Sequence, residues 1–369
     1  MKETSCRKNK IVYWLLPLSW LYGMVVNLRN ELFNSGFIKQ RSYKVPTICI
    51  GNITVGGTGK TPHTEYLIRL LQKAFHVAVL SRGYKRKSKG FVLATPTTSV
   101  RQIGDEPYQM KLKYPGITVA VDANRCHGIE RLLAPTPRPK VDVVLLDDAY
   151  QHRYVKAGIN ILLIDYHRMI CNDCLLPAGR LREPVSAKER ASIVIVTKCP
   201  PDTKPMDFRI LRNTICLRPY QQLFFTTLQY GKAFALFGKN KLEPSQLKDK
   251  DVLLLTGIAQ PEPLFLYIKQ YAKSVSSLTF PDHHDFSARD TQRINATFAA
   301  MEPQTALLLT TEKDASRLQA LKTLDPSVKQ HLFVIPIEVA FLQHGQALFN
   351  KTITTYVRKN TRNSCVDQA

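Results

Sequence analysis

Short runs of consecutive apolar residues recur along the chain, separated by stretches long enough for a helix. The runs "VPTICI" (45–50), "HVAVL" (76–80), "ITVAV" (117–121), "VDVVLL" (141–146), "INILLI" and "SIVIV" (192–196) are continuous and rich in β-branched residues. Continuous apolar runs of that length predict strands buried on both faces. The spacers leave room for crossover helices, for instance "TEYLIRLLQKAF" (64–75), so the pattern predicts a doubly wound, mostly parallel α/β sheet over 39–222. "FFTTLQYGKAFALFGK" (224–239) alternates instead, which predicts a hairpin connector over 223–240. A second set, "DVLLLTGI" (251–258), "SVSSLTF" (274–280), "ALLLTTEKD" (306–314) and "LFVIPI" (332–337), predicts a smaller α/β lobe over 241–350. Two lobes around a cleft are the simplest architecture, and 351–369 reads as a polar, frayed tail.

The first 38 residues follow a different pattern. "IVYWLLPLSWLYGMVVNL" (11–28) carries no charge and is flanked by Lys8, Lys10 and Arg29. As a helix it would span about 27 Å, just short of a comfortable bilayer crossing. Ser19, Gly23, Asn27 and Asn30 form one small or polar stripe on an otherwise lipid-like cylinder. That stripe favours a membrane-associated helix lying in the interface, with Trp14 and Trp20 at headgroup level; a buried core helix is the alternative. No small-x-small cleavage site follows the run. Eight Lys/Arg against two acidic residues in the first 45 make the cytoplasmic leaflet the natural side.

The net charge of +23 calls for an anionic partner: nucleic acid, an acidic membrane surface or a phosphorylated substrate. The aromatic residues do not interleave with the basic ones as stacking platforms do, which argues against nucleic acid. Eight scattered cysteines suit reduced thiols in a cytosolic compartment. "CNDC" (171–174) has metal-ligand spacing but no second pair, so coincidence explains it more simply than zinc or redox chemistry.

Candidate chemistry begins at "GNITVGGTGKTP" (51–62). A strand runs into a glycine-rich turn and then a helix, the context in which backbone N–H groups and the helix dipole cradle phosphate. The nucleotide-binding candidates are Thr54, Val55, Gly56, Gly57, Thr58, Gly59, Lys60 and Thr61. Lys60 would reach the β- and γ-phosphates of ATP, and the Thr61 hydroxyl would ligate Mg²⁺. Pro62 suits the first helical turn. The glycines lie closer to the lysine than in the commonest P-loop spacing, as in the "GGxGKT" branch of P-loop proteins. A second candidate is "VDVVLLDDAYQHR", a buried strand ending in Asp147 and Asp148, where a Walker-B acid would hold magnesium; helix capping is the alternative, and neither aspartate is preferred for direct coordination. "GDEP" (104–107) places Asp105 and Glu106 at a helix start, which capping alone would explain. "FPDHHDF" (280–286) sets two histidines between aspartates just past a strand, where a catalytic and a structural role are about equally supported.

Together "GNITVGGTGKTP", "SRGYKRK", "GDEP", "DDAYQH", "LLPAGRLREP", "FPDHHDF" and "TEKD" resemble, in order and spacing, the tetraacyldisaccharide 4′-kinase family, the inner-membrane lipid A 4′-kinases. The resemblance runs from about residue 11 to 340. Ala149 and Tyr150 depart from the usual "DDGFQH", which bears on the local turn. The resemblance implies a P-loop NTPase-like core and ATP- and Mg²⁺-dependent phosphorylation of the 4′-hydroxyl of an acylated disaccharide 1-phosphate. It implies Asp105 as the base, supported by His283 or, alternatively, His284, and a metal site of Thr61, Asp147, Asp148 and Glu183. It implies that Arg82, Gln151, His152 and Arg182 meet the substrate, and that the lobes close to bring a far-lobe histidine to Asp105. A lipid substrate stays in the bilayer, so an uncleaved anchor at the inner membrane fits. The basic run "RGYKRKSK" has an anionic target, although a solvated loop would also explain it.

A rival from another class is a membrane-associated P-loop switch ATPase or GTPase. Such switches usually carry a lysine just before the glycines, where this chain has Val55, and have no need of "DHHD" in a second lobe. "VTKCP" (196–200) lacks the aspartate of a guanine-specific loop.

Overall fold

The computed structural model describes residues 11–135, 139–258, 261–281, 284–319, 321 and 323–366. The chain divides into two compact units, Met1–Thr98 with Met110–Leu228 and Val339–Ala369, and Ser99–Gln109 with Gln229–Glu338. The segment carrying Asp105 therefore groups with the second unit, not with a continuous core over 39–222.

The strands are β1 (Thr47–Gly51), β2 (Val77–Ser81), β3 (Val92–Leu93), β4 (Thr118–Val121), β5 (Val143–Asp147), β6 (Ile159–Asp165), β7 (Ile193–Thr197) and β8 (Gln222–Tyr230). They continue with β9 (Ala233–Ala235), β10 (Lys241–Leu242), β11 (Asp251–Thr256), β12 (Ser274–Thr279), β13 (Ala306–Thr311), β14 (Leu332–Ile335) and β15 (Ile337–Phe341). One sheet has nine strands in the order β15-β8-β7-β6-β1-β5-β2-β4-β3, and the other six, β10-β9-β14-β13-β11-β12. In the first, β1 lies between β5 and β6 and is parallel to both. The chain first fills one side of β1, with β5 entering last between β1 and β2, and then builds outward on the other side through β6, β7 and β8; the carboxyl end of β1 is thereby the switch point where α/β sheets take their ligands. Every residue of β1, β2, β5 and β7 is buried, as their continuous apolar runs require.

Three expectations change. The 224–239 stretch is not one hairpin: β8 pairs parallel with β7, whereas β9 pairs antiparallel with β10 and β14. Phe224–Thr227 are all buried, so β8 is covered on both faces despite its alternating look. The tail is not frayed through its length, because a helix spans Gly345–Val366. Phe349, Ile353 and Val357 are buried along it, an i, i+4, i+8 stripe hidden among polar neighbours.

The third concerns helix α1 (Leu16–Asn34), which follows a 3₁₀ turn at Tyr13–Leu15. Its small, polar stripe faces the protein: Ser19, Gly23, Asn30 and Phe33 are buried, while Asn27 is exposed. Ser19 Oγ donates to the Leu175 carbonyl at 2.9 Å, and Arg153 donates to the Asn30 carbonyl at 2.9 Å. A methyl group at Gly23 would stand 2.8 Å from Leu175 Cδ1. Trp14, Leu18, Trp20, Leu21, Met24, Val25 and Leu28 point outward and are exposed. Among the described residues no helix is long and apolar enough to cross a membrane.

Candidate active site

At the end of β1 the chain passes through Asn52–Thr58 to helix α2 (Lys60–Leu71), capped by Gly59 at φ +83°. Gly56 has φ +114°, and a side chain there would also stand 2.9 Å from Arg168 NH1. These two positions therefore need glycine.

One wall of the loop is the "GRLREP" segment. Val55 N–H donates to the Arg180 carbonyl at 2.8 Å, and Arg182 N–H to the Ile53 carbonyl at 2.7 Å. Thr197 Oγ1 holds the Thr58 carbonyl from the other side at 2.9 Å. Lys198 donates to the Gly57 carbonyl and pairs with Asp165 at 2.8 Å. The loop is thus fixed through the Val55 N–H and through the carbonyls of Ile53, Gly57 and Thr58, a tethering that does not use the N–H groups at 56–58, the kind that cradle an anion in such loops.

Lys60, Asp148 and Arg182 meet beside it. Lys60 Nζ lies 3.4 Å from Asp148 Oδ1 and donates to Asn52 Oδ1 at 3.4 Å, while Arg182 NH1 is 3.6 Å from Asp148 Oδ2. Asp147 is fully buried and accepts hydroxyl hydrogen bonds from Thr64 (3.1 Å) and Ser81 (3.2 Å). Asp148 adopts φ +46°, and Arg125 donates to its carbonyl at 3.3 Å. Because the left-handed residue is Asp148, Ala149 replaces glycine without backbone strain.

Glu183 is buried and ion-paired with Arg190 through Oε2. Its Oε1, Asp148 Oδ1 and Thr58 Oγ1 are buried without a hydrogen-bond partner. Among the described residues no three His, Cys, Asp or Glu side chains form a ready-made metal cage. That suits magnesium, which takes one or two carboxylates and completes its shell with phosphate oxygens and water. Glu183 Oε1 fits that role, as would Asp148 Oδ1 once Lys60 moves away from it.

Gln151 supports the loop: its amide donates to the Asn52 carbonyl at 2.7 Å, and its own carbonyl accepts from Arg29 at 2.9 Å. Burial first, and then repulsion of its proton by Arg125, Arg29 and Arg82, together push the His152 imidazole down to about 4. His152 is therefore neutral near pH 7, within a cationic field suited to an anionic ligand. Arg82 is exposed just past β2. Arg86, by contrast, folds its own loop by donating to the Val121 and Gly90 carbonyls. Helix α1 touches this region as well, since Tyr22 Oη donates to the Arg182 carbonyl at 2.8 Å.

In the second unit Asp105 opens the helix Asp105–Lys113 and pairs with Arg317. His283 lies outside the described residues. His284 Nε2 is 2.9 Å from Asp290 Oδ2 and stacks on Phe280 at 5.0 Å. Sequence reasoning did not single out Asn52, Arg125, Arg190, Lys198 or Arg317. Only Asn52, beside the glycine loop, and Lys198, ending a strand, stood near a recognisable signal.

Residues 11–358 match the family model for tetraacyldisaccharide-1-P 4′-kinase. The tetraacyldisaccharide 4′-kinase of Phocaeicola vulgatus is 59% identical over 357 residues, 96% of this chain and 98% of that protein. That of Bacteroides thetaiotaomicron is 55% identical over 364 residues, 96% of each. The crystal structure of LpxK from Aquifex aeolicus in complex with ATP shares 29% identity with a TM-score of 0.74. The match covers 94% of this chain and 99% of that one.

Proposed function

The chain belongs to the tetraacyldisaccharide-1-P 4′-kinase family, and from that premise we propose how its residues divide the work. It is an ATP-dependent phosphotransferase of lipid A biosynthesis, acting on the 4′-hydroxyl of tetraacyldisaccharide 1-phosphate. Phosphoryl transfer needs little covalent help from protein; positioning and neutralisation of charge supply most of the acceleration. The observation that carries the assignment is the convergence of Lys60, Asp148 and Arg182 beside a glycine loop held from behind by 180–182.

Backbone N–H groups of 56–61 hold the β-phosphate, and Lys60 leaves Asp148 for the β- and γ-oxygens. Glu183 through Oε1, Asp148 once Lys60 has left its Oδ1, and the Thr61 hydroxyl would hold Mg²⁺. Asp147, occupied by Thr64 and Ser81, orients the turn. Magnesium, when bound, would supply neutralisation of the charge on the transferring group. Arg182 faces the phosphoryl group, and Arg82 and neutral His152 face the anionic acceptor. Gln151 acts through Asn52. Asp105 takes the proton of the 4′-hydroxyl, assisted by His283, because His284 is committed to Asp290.

Membrane association follows from α1. The outward row of Trp14 in the preceding 3₁₀ turn and Trp20, Leu21, Met24, Val25 and Leu28 of α1 is the lipid-facing surface, and the anionic inner leaflet is the surface it meets. The hydrogen bond from Tyr22 to Arg182 ties that helix to the site.

The test is to incubate purified protein with ATP, Mg²⁺ and tetraacyldisaccharide 1-phosphate and to locate the new phosphate by ³¹P NMR. A 4′,1-bisphosphate is expected. Phosphate at another hydroxyl, or ATP hydrolysis without a lipid product, would overturn the assignment.

A further inference from the structure

Resting on the reading of Asp105 as the base, we infer that Arg317 is a positioning residue for it, anchored by the buried carboxylate of Asp314. The "TEKD" motif forms a fixed unit. Strand β13 ends at Thr311, the N-cap of helix Glu312–Leu318. Thr311 Oγ1 accepts from the Asp314 N–H at 3.2 Å and donates to Asp314 Oδ2 at 2.7 Å. The same Oδ2 accepts from Gly257 N–H at 2.9 Å, and a methyl at position 257 would stand 2.9 Å from Asp314 Oδ1.

One turn further on, Arg317 NH1 lies 3.5 Å from Asp314 Oδ1, and NH2 donates to Asp105 Oδ2. The Arg317 side chain is 6% exposed and that of Asp314 is fully buried. A parallel pair, Lys313 with Glu106 at 3.5 Å, ties the next residue of "GDEP" to the same helix. Among the described residues Asp105 has Arg317 beside it, with Asp314 behind that arginine, and the Glu106–Lys313 pair at the next position of its own helix. Burial pushes the Asp314 carboxyl upward, opposed by Gly257 N–H, the Thr311 hydroxyl and Arg317.

A guanidinium is planar and permanently charged, so one held on a buried anchor fixes the plane of a bound carboxylate and keeps it ionised. Residues 105 and 317 are far apart in sequence, and no local requirement of either helix brings them together. Helix capping by Asp105 needs no arginine; a base that must present one lone pair to a sugar hydroxyl does.

The test compares kcat–pH profiles of wild type, Arg317→Gln, Arg317→Lys and Asp105→Asn, with the double variants. Arg317→Gln should lower kcat about 10–100-fold with KM for ATP unchanged. Loss of the neighbouring cation should move the acid limb of its profile up by about one pH unit. Arg317→Lys keeps the charge, so its limb should return toward the wild-type position. In an Asp105→Asn background neither Arg317 variant should slow transfer further. If Arg317→Gln fails to fold, Arg317→Lys carries the same cycle: it must slow the wild type several-fold and leave Asp105→Asn unaffected. An unmoved limb, or an equal loss in both backgrounds, overturns the inference. Full turnover by Asp105→Asn would instead remove the base assignment itself.

Discussion

Lys60 Nζ stands 3.4 Å from Asp148 Oδ1, so the cation meant for a triphosphate rests on a carboxylate at the turn after β5. Both groups sit where β1 and β5, adjacent parallel strands, end together. ATP exchanges one anionic partner of the lysine for another. Lys60→Ala is therefore expected to lower kcat/KM for ATP by about 10²–10³, the usual loss for one preorganised donor. Calorimetry should show weaker ATP binding in parallel. Unchanged affinity would place the phosphates elsewhere.

The two faces of α1 should separate stability from membrane binding. Leu21→Glu with Val25→Glu alters only exposed positions. It is expected to weaken sedimentation with anionic vesicles by about tenfold or more, from roughly 1.5–3 kcal/mol per buried side chain, while the melting temperature stays near wild type. Gly23→Leu should do the reverse, because its side chain meets Leu175; overpacking costs about 1–3 kcal/mol. Vesicle binding that survives the double glutamate variant would assign the lipid contact to another surface.

His63 gives a pH signature. Its ring is buried between the Gly59 carbonyl at 2.7 Å and Thr226 Oγ1 at 3.0 Å, and burial pushes it down to about 4. The native state therefore resists protonation more than the unfolded chain, in which histidine titrates near 6.5. Stability from this residue is present above about 6.5 and is lost as the pH falls toward 4. Melting temperature should decline across that window, and His63→Gln should flatten the decline. An equal slope in the variant would contradict the role given to His63.

How far the chain could be read in advance depended on whether each contact was local. The buried strands, the glycine loop and the Asp147–Asp148 turn are contiguous, so apolar runs and motif spacing revealed them. Arg317 on Asp105 and the 180–182 segment against 53–55 join residues far apart in sequence, and nothing in either partner announces the other. The stripe on α1 was visible as a pattern; which side it faced depended on Leu175 and Arg153. The helix Gly345–Val366 was missed because its three buried apolar residues are diluted by polar ones. The departure at Ala149 proved conformationally neutral, and Ala149→Gly should destabilise by about 0.5–1 kcal/mol in denaturant unfolding, through lost methyl packing and added backbone freedom.

The assignment of the reaction to these residues is tested most directly by single-turnover transfer of labelled γ-phosphate from pre-bound ATP to tetraacyldisaccharide 1-phosphate, in wild type and Asp105→Asn. Loss of a general base should slow transfer by about 10²–10⁴, with ATP affinity unaltered. Transfer at the wild-type rate in Asp105→Asn would contradict it.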